Sequence, residues 1–453
     1  MNSLRPGGQT TTTELLTAVR WLVACVALLT GSHRAHAEQP TTMSLADAVK
    51  RAITHDAQLK AANAATAAAE AEYRSVRGML GPSIAVNASV NIWDSAFELP
   101  FAPGAPPTRL RDQLTTQLNL VATQPLAMQA VSGYKLGKIG AAIARSARRK
   151  TQEDVAYQTA KSYISLKQAL AGLEIARAAV QQMKAQLARG KAFFSSGLIG
   201  KNDLLKLELG LAEAQTGEIR GEAALALARS ALALAVSLPE STLIVPGERF
   251  ADPPSAALES LESCVKRALR QRSDRRAAEQ RIGQAEQARN LAFWNLGPNI
   301  ALVANYQNVQ GQGLLMPKDM FFVGGTLHWN LWNWGSEFYV HRQRKAQVEQ
   351  ARQGLALVER MIVLEVKQAY LQLNVARQVL AVEAKRIAQA EEALRIEQAK
   401  FEKQAATTRD LLDAQLALTR ARQQRNNALY GFYLARAALR VALGQTVGLE
   451  NER

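Results

Sequence analysis

The chain has 453 residues, 48 % of them hydrophobic, and a formal net charge of +16. That length allows two or three ordinary domains and the apolar share allows a core, but no twenty-residue apolar span follows the leader, which argues against a membrane-crossing helix. Cys25 and Cys264 are the only cysteines, so no intrachain disulfide survives loss of the leader, and no Cys/His cluster has metal-ligand spacing.

Residues 1–37 read as a secretory signal peptide. Arg20 precedes a short apolar core, Trp21 to Leu29, and Ala35-His36-Ala37 is a small-x-small cleavage site. Leu22-Val23-Ala24-Cys25 also has the form of a lipoprotein cleavage box, although only four residues separate Arg20 from Cys25. Cleavage after Ala37 removes Arg5, Arg20, Arg34 and Glu14 and leaves a charge of about +14. The remaining Lys and Arg are interleaved with Glu and Gln along helical stretches, the pattern of solvated faces. A nucleic-acid surface is the other reading of that charge, and export from the cytoplasm weighs against it.

The mature chain repeats itself. Ser44-Leu45, Val49-Lys50-Arg51-Ala52 and Gly81-Pro82 recur 216 residues later as Ser260-Leu261, Val265-Lys266-Arg267-Ala268 and Gly297-Pro298. Tyr163, Phe194, Asp203-Leu204-Leu205 and Leu227-Ala228-Arg229 recur 207 residues later, from Tyr370 to Leu434-Ala435-Arg436. The first repeat therefore spans 38–238, an inter-repeat linker 239–259, the second repeat 260–445 and a tail 446–453. The proline-rich run from Pro100 to Pro107 accounts for much of the nine-residue difference between the offsets.

The first repeat opens with a helix over 44–54, capped by Ser44. A second, alanine-rich helix covers 56–77 and stops at Gly81-Pro82. The period then becomes two. Ile84, Val86, Ala88, Val90 and Ile92 alternate with Ser83, Asn87, Ser89 and Asn91, and Leu114, Leu118 and Leu120 alternate with Gln113, Gln117 and Asn119. Strands over 83–92 and 113–122, apolar on one face and small-polar on the other, have the pattern of an outer-membrane barrel wall. A soluble sandwich alternates too, with shorter strands. A proline-free stretch follows, predicting a long helix over 136–194, a turn, and a return helix over 203–237.

The second repeat predicts strands over 299–309 and 320–331, with Phe321, Val323, Leu327, Trp329 and Leu331 on one face. Trp329, Trp332 and Trp334 cluster where strand gives way to helix, either as a bilayer-interface belt or as a buried aromatic cluster. From Leu355 to Leu394 apolar residues recur about every 3.5 positions, the period of a coiled-coil seam. A helix over 338–402 and its return to 444 form the second hairpin. Four strands cannot close a barrel in lipid, two chains would fill one with side chains, and three would leave a lumen.

The duplicated strand–strand–hairpin unit, the leader, and the tips Phe194 to Leu205 and Phe401 to Ala414 together resemble the TolC-like outer-membrane efflux protein family. The resemblance covers nearly all of the mature chain. It implies a mostly α fold with a membrane β-barrel portion: a homotrimer whose hairpins form an α-barrel through the periplasm and whose strands form one shared twelve-stranded antiparallel barrel in outer-membrane lipid. It implies an exit duct of a tripartite efflux or type I secretion system, docking at its tips to a periplasmic adaptor and an inner-membrane transporter, without cofactor, metal, nucleic acid or catalysis.

By the family pattern, Asp203, Asp410 and Asp413 are ring carboxylates at the periplasmic constriction, where three-fold symmetry concentrates negative potential. Asp203 and Asp410 also suit plain helix N-terminal roles. Gly197, Leu198 and Ile199 resemble the adaptor-contact tip, and Trp329, Trp332 and Trp334 the membrane-interface aromatics. The second tip departs from the pattern with Gln404 in place of glycine and Ala406 in place of a basic residue. The resemblance supplies no account of the net charge. A soluble periplasmic coiled-coil scaffold or adaptor is the alternative, and it would have no use for alternating strands or a tryptophan belt.

Overall fold

The computed structural model describes residues 41–253, 258–313 and 317–448; the signal peptide, its cleavage site and Cys25 lie outside them. The first half runs β1 (Thr41–Met43), α1 (Leu45–His55), α2 (Ala57–Gly78), β2 (Ser83–Ile92), β3 (Phe97–Leu99), β4 (Thr108–Pro125), α3 (Met128–Ser195), α4 (Lys201–Ala235) and β5 (Ile244–Pro246). The second runs α5 (Leu261–Gln271), α6 (Ser273–Trp294), β6 (Asn299–Gln312), β7 (Asp319–His328), α7 (Ser336–Glu402) and α8 (Thr408–Ala442). Both bounds of α5 and α6 fall 216 residues after those of α1 and α2, and both bounds of α8 fall 207 after those of α4.

Local chemistry sets these limits. The Ser44 hydroxyl accepts from Asp47 N at 3.1 Å, and Asp56 accepts from Leu59 N at 2.9 Å. Ser260 repeats the first cap for α5. The return helices end alike: Ser237 (φ 53°) and Gly444 (φ 77°) both turn left-handed. Leu238 N then bonds to Ala233 O, and Gln445 N to Arg440 O, closing the last carbonyls as a Schellman motif does. At 68 residues α3 is about 100 Å long. It starts eight residues before the expected 136. The two shorter helices packed along it, α2 and α4, have 22 and 35 residues.

The main sheet is antiparallel, in the order β2-β4-β6-β7, with β3 paired to the outer part of β4. Register puts Val86 beside Leu120, Leu120 beside Tyr306 and Tyr306 beside Phe321. One face is therefore continuously apolar, and Asn87, Asn119 and Gln307 align on the other. The apolar face is bare: Ile84, Val86, Val90, Phe321, Val323 and Leu327 are all exposed. Expected strand ends shift where pairing dictates. β4 continues back to Thr108 because β3 pairs with it. β7 stops at His328, not 331, because His328 opposes Asn299 and Pro298 beyond it has no N–H to offer. Trp329 and Leu331 therefore lie past the strand.

Below the sheet each long strand hands on to a helix, giving a wall in the order α2-α3-α6-α7. Farther down the order is α4-α3-α8-α7. Seam residues Ile362, Val366, Leu373 and Leu380 are buried against Phe432 and Leu439 of α8 and Cys264 and Ala268 of α5. Three features had no local sequence signal. β1 and β5, some two hundred residues apart, form a small parallel sheet over α3. The 239–259 stretch, expected as linker, contributes β5 and sets Phe250 among Tyr163, Tyr430 and Tyr433. Val447, in the expected tail, is buried against Ala160 and Ala437.

Candidate functional site

The two hairpin turns meet at the end of the wall away from the sheet. At the first, Gly197 holds a left-handed backbone (φ 71°), Gly197 N bonds to Phe194 O at 3.0 Å and Leu198 N to Phe193 O at 2.8 Å. The second turn repeats this with Gln404 (φ 58°): Gln404 N bonds to Phe401 O at 3.0 Å and Ala405 N to Lys400 O at 2.8 Å. The expected glycine is absent from the sequence, yet its conformation is kept. Leu198 is exposed and Ile199 half-buried. Gly190 lets the first hairpin close tightly, since a Cβ there would fall 2.2 Å from the Leu207 side chain.

The three sequence-predicted carboxylates sit in different settings. Asp203 lies in the first turn of α4, where its Oδ1 accepts from Lys206 Nζ at 3.1 Å. Asp410 belongs to a capping box: Asp410 N donates to Thr407 Oγ1 at 3.2 Å, and Thr407 N donates to Asp410 Oδ2 at 3.0 Å. The Thr407 hydroxyl, 2.6 Å away, and the Thr407 amide hold this carboxyl below its ordinary range. Asp413 is largely exposed, 3.7 Å from Arg409. Each carboxylate thus has a local partner, and two of the three face a cation.

Contacts that sequence reasoning missed tie the turns together. Phe193 and Phe401 pack at a tilt of 46° with centroids 5.7 Å apart, Arg189 donates to Glu402 at 2.9 Å, and Gln186 donates to Gln415 at 3.2 Å. The adjacent pair Phe193-Phe194 was the available signal. The repeat aligns Phe194 with Phe401, but the structure buries Phe401 and pairs it with Phe193, leaving Phe194 exposed.

At the other end, Trp329, Trp332 and Trp334 surround the crossing from β7 into α7. Trp332 and Trp334 are 74 % and 86 % exposed with rings 5.8 Å apart, so they form no buried cluster. Trp329 Nε1 donates to Leu296 O at 3.1 Å. Exposed Phe293, Phe338 and Tyr339 extend the band.

The wall also has unpartnered edges. Along α7, Leu357, Met361, Leu364, Leu371, Val375 and Val382 are exposed at heptad-like spacing, on a side distinct from the buried seam. Along α4, Leu205, Leu209, Ile219, Leu227 and Leu234 are exposed at the opposite edge. Between α4 and α8, over α3, runs a groove of about 1400 Å³. No group of three or more His, Cys, Asp or Glu suited to a metal occurs among the described residues, and no helix there is long and apolar enough to cross a membrane.

A family model described as outer membrane efflux protein matches residues 48–237 and 264–445. Outer membrane protein TolC of Vibrio cholerae serotype O1 is 25 % identical over 419 residues, covering 88 % of this chain and 90 % of that one. The solved outer-membrane channel OprN superposes with a TM-score of 0.78 at 18 % identity, covering 90 % of this chain and 91 % of its own. The outer membrane protein VceC of Vibrio cholerae gives 0.76 at 18 % identity, covering 90 % and 97 %. At that identity the two structures speak for the fold alone.

Proposed function

This chain belongs to the outer membrane efflux protein family, and from that membership we propose that it works as one third of a homotrimeric exit duct. It is an outer-membrane channel that extends into the periplasm, and not an enzyme.

The unpartnered edges carry the trimer. β2 and β7 end the sheet with open ladders, which lipid does not tolerate. The exposed apolar rows of α4 and α7 lie at opposite edges of one wall, so α4 of one copy meets α7 of the next. Such a head-to-tail contact makes a ring when its rotation closes, and a rotation of one third of a turn closes after three copies. Three copies bring twelve long strands, wide enough for a lumen, with the apolar face toward lipid and the Asn/Gln/Ser/Thr face toward water. Trp329, Trp332 and Trp334 then lie at headgroup level.

The joined turns become the periplasmic entrance. Threefold repetition of Asp203, Asp410 and Asp413 would ring it with carboxylates, moderated by Lys206 and Arg409. Gly197, Leu198 and Ile199 would offer the outward surface for a periplasmic adaptor, which links the duct to an inner-membrane transporter of a tripartite efflux or type I secretion system. The test is conductance in planar bilayers. Asp203→Asn, Asp410→Asn and Asp413→Asn together should lower cation preference and weaken block by trivalent cations. An unchanged reversal potential would remove these residues from the gate. A monomer on unboiled gels would remove the trimer.

A further inference from the structure

Four cations stand near the sheet ends of the two long helices. Lys135 and Lys138 stand near the start of α3, and Arg342 and Lys345 stand 207 residues on, near the start of α7. The duplication therefore gives each chain two equivalent cation pairs, about 10–15 Å along their helices from the sheet. All four side chains are exposed, and none has an ion-pair partner among the described residues. The nearby carboxylates are engaged elsewhere: Glu70 with Arg145, Glu286 and Glu349 with Arg352, and Glu337 with Asn330 and Asn333.

The side of the wall follows from helical spacing. Phe338, Arg342 and Lys345 are related as i, i+4 and i+7, and Met128, Lys135 and Lys138 as i, i+7 and i+10. Phe338 and Met128 are both exposed. Each helix face thus turns from apolar to cationic as it leaves the sheet. The neighbouring positions Leu136 and Arg344 face the other way, lining a groove with Arg281 and Gln284. The pairs thus lie on the helix faces that carry Phe338 and Met128, away from that groove, and Phe338 belongs to the aromatic band around Trp329, Trp332 and Trp334.

We propose that Lys135/Lys138 and Arg342/Lys345 form a collar that binds the phosphates of anionic phospholipids in the periplasmic leaflet, fixing the depth of the duct in its membrane. A cation at a lipid surface gains about fivefold in affinity for an anionic headgroup, and long side chains can lay their stems on apolar surface while their ends reach phosphate. The proposal rests on the membrane placement of the sheet.

The test uses full-length channel in vesicles of phosphatidylcholine with brominated phosphatidylglycerol, or the reverse, with matched acyl chains, and reads quenching of tryptophan fluorescence. The wild type should prefer phosphatidylglycerol severalfold. K135Q/K138Q/R342Q/K345Q should bring that ratio close to one, and each pair alone part of the way. Half-molar salt should also suppress the wild-type preference. K161Q/K184Q/K191Q/K367Q, which removes equal charge lower on the helices, should keep it. Equal loss in that control, no wild-type preference, or a retained ratio with an altered reversal potential would overturn the collar. The last result would put the cations in the lumen. Conductance of the same vesicles reports separately whether the channel is inserted at all.

Discussion

Gln404 does the work of Gly197. Two hundred and seven residues apart, both hold the left-handed backbone that closes a long helix, at φ 58° and 71°, with the same two backbone hydrogen bonds. A side chain in that region costs about 1–2 kcal/mol, which glycine avoids. Gln404→Gly should therefore stabilise the second tip by roughly 0.5–1 kcal/mol, after the extra entropy that glycine loses on folding. Gly197→Ala should destabilise the first by about 1 kcal/mol. Thermal unfolding of both variants checks the pair; shifts of the same sign would contradict the equivalence.

That tip also shows what the sequence made legible. Offsets of 216 and 207, period-two strands and a 3.5-residue seam were enough for the layout of helices and strands, because each is a local pattern. Contacts between distant segments left no such trace. β1 and β5 are three residues each, and Phe250 reads as part of a loop until Tyr163, Tyr430 and Tyr433 surround it. The second apolar row of α7, through Leu357, Leu364 and Leu371, is in the sequence but overlaps the seam, so one periodicity hid the other. Asp203 and Asp410 were legible as helix-start residues, whereas the partners Lys206 of Asp203 and Arg409 of Asp413 depend on side-chain geometry.

Tyr163 ties the small parallel sheet to α3. Its hydroxyl donates to Met43 O at 3.0 Å, and burial pushes its pKa up to about 12. An acid whose folded pKa lies above its unfolded value, about 10, lends stability that is complete below pH 10 and lost as pH climbs toward 12. Alkaline titration of unfolding should show that loss, and Tyr163→Phe should flatten it while costing about 1 kcal/mol at neutral pH through the lost hydroxyl bond to the Met43 carbonyl, which keeps its bond from Gly247 N. An equally steep alkaline loss in the variant would assign it to other groups.

Arg272 holds the joint between α5 and α6. It is 7 % exposed and binds Asp274 at 2.6 Å, Glu365 of α7, and the Ala442 carbonyl at the end of α8. Burial by itself would raise the Asp274 pKa, but the Arg272 hydrogen bond and charge hold it below the ordinary carboxylate range. The stability this lends is present above the unfolded pKa, about 4, and is lost as pH falls through the lower folded value. Arg272→Met should cost about 3 kcal/mol by stranding Asp274. Arg272→Met/Asp274→Leu should recover much of that loss in denaturant titrations, and a double variant no better than the single would rule out the stranded charge as the cause.

The edges give the most direct prediction about assembly. Leu227 of α4 and Leu364 of α7 are 73 % and 64 % exposed in the single chain, and neither touches the seam that holds the hairpins together. A carboxylate at either place leaves the subunit's own core intact but must be buried, unpaired, if α4 of one copy packs on α7 of the next. Leu227→Asp and Leu364→Asp should each shift the channel from trimer to monomer on unboiled gels and in light scattering, with helical content unchanged. The contact is head-to-tail, so Leu227→Asp with Leu364→Lys in one chain places opposite charges across every seam. Partial recovery of trimer in that double variant is expected. Trimers that persist in both single variants would show that the copies meet along some other face.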